Sequence, residues 1–506
     1  MRAAIKGNTN PTAIGSPTSA HHRERYDADG LRIHLSETQT TWAATPVVER
    51  LKVIKATRHA IAERTDQFCT AVTSNLARNH ADTLAAELLP LLAAARFLER
   101  QAAKILRARH LGRRGLPLWL GSIHSEVHRV PFGKILVIAP SNYPLYLPGV
   151  QVLQALAAGN SVIWKPGIGG APIAQLFAYT MKEAGLPENL LRVTDESVDA
   201  AKNEIVEGVD KVFFTGSTNT GRALLHQLAE TLTPCVIESS GCDAVVVLPS
   251  ANLSQVIKAL TFGMRLNGSA TCMAPRRILL VNLEEKRRAL LVSQLQQAFL
   301  DTPGITIPLN ARQQLTALVE EAKALGGKVL GELHAERLQP ILIVGANPSM
   351  EIANADIFAP VLMLLPVEGE GGVLAVQESC RFALTVSIFG DEREARALAS
   401  KMIVGTVLIN DLIVPTADPR IPFGGRRQSG FGVTQGAEGL LEMTAIKTLA
   451  VRKSANNSHY EPTTEMHQSL FTGTIRAAYG GKWRDRLHGL RQALATARKL
   501  KGQGDH

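Results

Sequence analysis

From residue 134 onward, short apolar runs alternate with longer amphipathic stretches, and few architectures accept that order. KILVIAP (134–140) reads as a buried strand, and LPGVQVLQALAAG (147–159) as a helix ending at Gly159. NSVIWKP, APIAQLFAYTMKEAGLP, LLRVT, DKVFFTGS, TNTGRALLHQLAETL and PCVIESSG continue the alternation to residue 241. A second series follows: AVVVLP, RRILLVN, KVLGELH and PILIVG read as strands, with helices such as LSQVIKALTFGMRL between them. Strands alternating with helices predict an α/β chain built on mostly parallel, doubly wound sheets. Ligands in such sheets bind beyond the carboxyl ends of the strands.

The flanks differ. Residues 1–44, rich in Ser, Thr, Gly and Pro at their start, read as a poorly ordered arm. Apolar residues at three- and four-residue spacing predict helices over roughly 45–109, and HSEVHRVPFG (124–133) an alternating strand. PTADPRIPFGGRRQSGFG (415–432) is a Pro/Gly loop, and TAIKTLAVRK (444–453) a late strand. Residues 454–506 read as a basic tail with one helix near 483–501. Residues 471–506 hold eight Lys/Arg against Asp485 and Asp505, and so supply +6 of the chain's net charge of +10. The rest is nearly balanced, and no aromatic–basic interleaving marks a nucleic-acid groove, so no nucleic acid is expected. Solvated extension, anionic surface and partner contact all stay open for the tail. No run of 18 apolar residues and no secretory leader is visible. Five cysteines without a CxxC pair or zinc spacing predict no metal site and a reducing, cytoplasmic setting.

Five short segments carry groups capable of chemistry, each with an ordinary explanation beside the functional one. Cys272, in LNGSATCMAPRR, is either a small buried hydrophobe or an accessible nucleophile. Glu238, at a strand end in VIESSG, is either half of an ion pair or a general base with a raised pKa. Asn142, in IAPSNYP, either makes an Asx turn or stabilises an oxyanion. Gly216 and Ser217 open a helix whose N-terminus suits an anion. Lys165, in IWKP, is either solvated or a ribose ligand.

Together they say more. IAPSNYP, WKP 23 residues after Asn142, FFTGST, Glu238 and then Cys272 34 residues later form an ordered series. NADIFAPV (354–361) and IND…IPFGGRRQSGFG (409–432) extend it. The series resembles the aldehyde dehydrogenase superfamily over about residues 45–453, and NYPLYL and TCMAP lean toward its class 3-like branch. The resemblance implies a coenzyme-binding Rossmann-type domain (45–236), a catalytic α/β domain (237–411) and a return segment (412–453). It also implies a small β oligomerisation extension using 122–131 and the late strand, and a homodimer or tetramer. It implies oxidation of an aldehyde by NAD or NADP, with Cys272 as nucleophile, Glu238 as base and Asn142 in the oxyanion hole. Lys165, Gly216, Ser217, Ser240, Asp356 and Phe358 would border the cofactor.

Several positions depart from the family pattern. Ile168 stands where an acid normally grips the ribose 2′-hydroxyl, which implies tolerance of NADP. Ser240 replaces a glycine, Asp356 a glutamate, Ala359 a glycine and Ser141 a tryptophan. Glu238 argues for hydrolysis to the free acid, because acyl transfer to another acceptor needs no water-activating base. Tyr143, Tyr146, Leu147, Val150, Leu266 and Met273 map near the family's substrate tunnel and suit an aromatic or medium-chain aliphatic aldehyde. An acylating or reductive relative and a non-catalytic scaffold are the rival readings.

Overall fold

The apolar runs form two sheets. The computed structural model describes residues 31–73, 78–117, 120, 123–307, 309–453, 460 and 462–503. The first sheet runs Gly430–Phe431, Cys235–Ser239, Lys211–Gly216, Lys134–Ile138, Ser161–Lys165, Leu191–Val193. All neighbours are parallel except the first pair. The chain starts in the middle, at Lys134–Ile138, builds outward to Leu191–Val193, then returns to build the other side. The reversal leaves a crevice between the carboxyl ends of Lys134–Ile138 and Lys211–Gly216, where such sheets bind ligands.

Burial explains why these runs pair in parallel. Ile135–Ile138 and Ser161–Lys165 are buried throughout, as expected for strands covered by helices on both faces. The helix Tyr146–Ala158 is buried on nearly every side, so it is a core helix and not an amphipathic one. Gly159 ends it at φ +98, where a Cβ would collide with the Arg50 guanidinium.

The second sheet has seven strands: Lys328–Leu330, Ile341–Val344, Val361–Val367, Pro275–Val281, Asp243–Val247, Thr385–Phe389 and Thr406–Ile409. Only the Lys328–Leu330 and Ile341–Val344 pair is antiparallel. Because Cys235–Ser239 belongs to the first sheet and Asp243–Val247 to the second, the chain changes sheet between Ser239 and Asp243, not at 236/237.

Among the described residues, those up to Arg107 and from His128 to Lys447 form one compact unit containing both sheets. Ala108–Val127 and the residues from Thr448 onward form a second. A three-stranded sheet, in the order Arg109–Leu111, Ile123–Pro131, Thr444–Arg452, uses the two segments expected for an extension; residue 122 lies outside the described residues.

Two expectations need correction. Residues 31–44, read as the end of a poorly ordered arm, form the helix Leu31–Ala44. Trp42 is buried, and its Nε1 donates to the Leu156 carbonyl at 2.9 Å, so tertiary anchoring fixes a segment with no apolar period of its own. Residues 1–30 of that arm lie outside the described residues. The tail, read as a single helix, is a hairpin of Glu465–Tyr479 and Trp483–Gln503. Its backbones meet at glycines: a Cβ on Gly473 would lie 2.7 Å from Ala493 N, and one on Gly489 2.6 Å from Ala477 N. Residues 454–459, 461 and 504–506 of the tail lie outside the described residues.

Candidate active site

Cys272 follows the helix Leu253–Arg265 and a tight turn in which Asn267 (φ 53), Gly268 (φ 58) and Ser269 (φ 62) are consecutively left-handed. Two non-glycine residues there cost roughly 1–2 kcal/mol each, so the surroundings must hold the turn. The buried Arg276 guanidinium does so, donating to Ser269 Oγ (2.6 Å), Ser269 O (2.7 Å) and Ala359 O (3.0 Å). Asn267 Nδ2 donates to Ala270 O (3.0 Å) and Asn142 O (3.1 Å).

The same turn fixes Asn142. Its Nδ2 donates to Ala270 O at 2.9 Å, two residues before Cys272. An amide nitrogen carries two hydrogens, so one remains for a ligand. Gly241 N donates to Cys272 O at 3.1 Å, which ties the Cys272 main chain to the segment between the sheets. Cys272 itself is half-buried; burial, and then the charge of Glu238, push its thiol well above the ordinary value.

Glu238 ends its strand at 2% exposure. Its Oε2 accepts from Thr434 Oγ1 at 3.1 Å, and its Oε1 has no partner among the described residues. The ion-pair explanation therefore fails: among the described residues the hydrogen bond is to a hydroxyl, not to a cation. Burial pushes the carboxyl up to about 7, with the Thr434 bond opposing. A buried, half-satisfied carboxyl is costly to keep for structure alone and is poised to exchange a proton near neutrality.

Sequence reasoning missed the support beneath Asn142. The buried Arg78 guanidinium donates to Glu87 Oε1 (2.7 Å) and Asn142 O (2.8 Å) and lies 4.9 Å from the Tyr143 ring centre. Glu87 Oε2 accepts from Tyr146 N (2.6 Å) and Leu145 N (3.3 Å), capping the helix Tyr146–Ala158. Glu87 reaches it from a π-helical turn, Leu84–Leu88, a distortion common at functional sites. Replacing Glu87 by Gln leaves Arg78 charged and buried, so the protein should lose about 3–5 kcal/mol of stability in denaturant unfolding. An unchanged midpoint would contradict this account of the pair.

Beside Cys272 opens a cavity of about 260 Å³. Tyr143, Tyr146, Leu147, Leu266 and Met273 line it, as expected; Val150 does not, and lies in the core. Asp82 adds a carboxylate that the sequence reading left out. The Tyr143 hydroxyl shares a hydrogen with Thr271 Oγ1 at 3.0 Å, and the Tyr146 hydroxyl donates to Gln435 Oε1 at 3.1 Å, so both rings present their edges or faces with the polar tips occupied.

The residues assigned to a cofactor lie at the carboxyl ends of the first sheet or beside the second. Lys165 ends its strand; burial lowers its pKa, and the charges of Glu196 and Asp195 oppose that. Gly216 precedes Ser217, which caps the helix Thr218–Ala229 by accepting from Thr220 N at 3.2 Å. Phe358 is 41% exposed. Ile168 is 80% exposed, yet Glu196 accepts from Gly169 N and Ala171 N, both at 2.8 Å, so the loop is not without an acid. Ser240 and Asp356 are one feature: Ser240 Oγ donates to Asp356 Oδ2 at 2.5 Å. The helix N-terminus at the switch point, the part-desolvated ammonium and the exposed ring fit a dinucleotide.

A family model described as "Aldehyde dehydrogenase family" matches residues 9–449. The chain is 29% identical over 412 residues to the 4,4'-diapolycopene aldehyde oxidase of Methylomonas sp, covering 80% of this chain and 77% of that one. It is 27% identical over 464 residues to the probable coniferyl aldehyde dehydrogenase of Pseudomonas aeruginosa, covering 88% and 97%. Its fold matches an aldehyde dehydrogenase of Mycobacterium tuberculosis solved with NAD+, with a TM-score of 0.76 at 24% identity, covering 84% and 91%.

Proposed function

The chain belongs to the aldehyde dehydrogenase family, and from that premise we propose that it oxidises an aromatic or medium-chain aliphatic aldehyde to its carboxylic acid through Cys272, with NAD+ or NADP+. The observation that carries this reading is Glu238: buried, with Oε1 unpartnered among the described residues and its carboxyl pushed up to about 7 by burial, near the Cys272 thiol that burial and then the Glu238 charge push up.

Thiolate and carboxylate repel, so the pair holds one negative charge far more readily than two. The thiol proton therefore leaves most easily while Glu238 is protonated or as it takes that proton. Cys272 Sγ attacks the carbonyl carbon, and the carbonyl oxygen, now negative, meets the free hydrogen of Asn142 Nδ2. When bound, the cofactor supplies the hydride acceptor that turns this adduct into a thioester. Lys165, Gly216, Ser217 and Phe358 would hold it, with the Ser240–Asp356 pair at its border. Once Glu238 has released its proton to solvent, it takes a proton from water through Oε1; the hydroxide oxygen bonds to the acyl carbon, the C–S bond breaks, and the proton on Glu238 passes to the departing Cys272 thiolate. The products are the acid and the free Cys272, ready for another turn.

The cavity wall argues for the substrate class. Aromatic and aliphatic side chains dominate it, and Asp82 disfavours a second carboxylate. Relatives named for coniferyl aldehyde and 4,4'-diapolycopene aldehyde support this class, while another is named for succinate-semialdehyde, so the cavity wall carries the argument. In a panel of aldehydes, benzaldehyde-like and medium-chain substrates should exceed a charged semialdehyde by about 10-fold or more in kcat/KM, with both cofactors accepted. A preference for the charged semialdehyde would overturn the substrate class. No reduced cofactor from any aldehyde would favour the scaffold reading.

The assembly we favour is a homodimer, with a tetramer second. The edge strand Thr444–Arg452 exposes Ile446, Leu449 and Val451, and an exposed apolar edge is a template for pairing. Light scattering at the mass of a single chain would rule this out. A reducing cytoplasmic setting suits the five unbridged cysteines.

A further inference from the structure

The helical hairpin lies beyond residue 449, where the family match ends, and the aldehyde reaction gives it no task. We propose that it docks the protein on an anionic phospholipid surface, with the helix Trp483–Gln503 lying in the plane of the interface.

The helix has two distinct faces. Gly489, Ala493 and Thr496 turn toward its partner helix: Gly489 lies against Gly473 and Ala477, and Thr496 Oγ1 is 3.3 Å from Ser469 Oγ. Trp483, Leu487, Leu490 and Leu494 are all exposed, Trp483 by 69%. Their spacing repeats once per turn, so they share a sector of roughly 60° on the helix surface. Arg484, Arg491 and Arg498 recur every seven residues and form a ridge along one border of that stripe. Arg486, on the other border, donates to Ala477 O and Ala478 O and so helps hold the hairpin. The helix carries six Lys/Arg and one acid, Asp485.

Charge decides what covers the stripe. A second copy docked stripe to stripe would bring two faces of net positive charge together. A nucleic acid would satisfy the arginines and leave three leucines in water. An anionic bilayer satisfies both: the leucines enter the acyl boundary, Trp483 sits at headgroup depth, and the arginines reach the phosphates. Among the described residues no helix is long and apolar enough to cross a membrane, so the helix lies on the surface.

The test uses the full chain and co-sedimentation with vesicles. Binding to phosphatidylcholine vesicles holding about 30% phosphatidylserine should exceed binding to pure phosphatidylcholine by about 10-fold and weaken as salt rises. Leu490→Asp with Leu494→Asp should reduce it by about 10-fold or more, with the thermal midpoint and the oxidation of a water-soluble aldehyde unchanged. No binding to either vesicle would overturn the proposal. So would binding that ignores the leucine changes, a shift from dimer to monomer in that variant, or loss of vesicle binding to a competing DNA duplex at equal charge. Because activity is read separately, failure here leaves the catalytic reading untouched, and an inactive but vesicle-bound protein leaves the docking intact.

Discussion

Cys272→Ala should lower reduced-cofactor formation by at least about 10⁴-fold, with folding and cofactor affinity unchanged. The side chain is small and half-buried, it borders a cavity, and the turn that presents it is held by Arg276 and Asn267, not by its sulfur. The variant therefore removes the proposed nucleophile and little else. Absorbance of the reduced cofactor with a saturating aldehyde reads the rate, and titration of cofactor fluorescence reads the affinity. Retained turnover would show that another group bonds to the substrate.

Glu238→Gln has the second largest effect. Amide nitrogen and oxygen fill the same space, and Thr434 Oγ1 keeps an acceptor at 3.1 Å, but no proton can be taken from water. Hydrolysis of the acyl group should slow by about 10²–10⁴-fold, so a burst of reduced cofactor should precede a slow steady state. The pH profile follows from the sign of the shift. The base works as a carboxylate, so hydrolysis in the unaltered protein should rise with pH and level off above about 7. The Gln variant should lose that limb. Stability should move in the opposite sense: a carboxyl with a raised folded-state pKa binds more protons folded than unfolded between 4.5 and about 7. Its contribution therefore falls as pH rises through that window, and the neutral Gln variant should escape that loss. A steady rate without a burst, equal to the unaltered protein's, would remove Glu238 as the base.

Much of this was legible in the residues because it is local. Apolar runs such as KILVIAP and NSVIWKP announce strands buried on both faces, and the strand-end position of Glu238 follows from its place in PCVIESSG. What stayed hidden is long-range and polar. Glu87 stands in an Ala/Leu stretch where a charge reads as an exposed helix position; besides nearby Arg78, its partners Leu145 and Tyr146 lie 58 and 59 residues further on. Arg276 opens an apolar strand and looks like a solvated end, yet it is buried and closes the turn before Cys272. Ser240 and Asp356 read as two separate departures because 116 residues divide them; the fold joins them in one hydrogen bond. The hairpin was half legible: the basic helix shows in its charge, but its partner depends on Gly473 and Gly489 meeting, which no single-helix pattern displays.

The measurement that bears most directly on the central claim is the mass of the Cys272 peptide from the Glu238→Gln protein, digested after mixing with benzaldehyde and NAD+. Cys272 should carry the mass of a benzoyl group, removed by hydroxylamine and absent when either aldehyde or cofactor is left out. Reduced cofactor formed while Cys272 stays unmodified, or an acyl group carried by another residue, would contradict it.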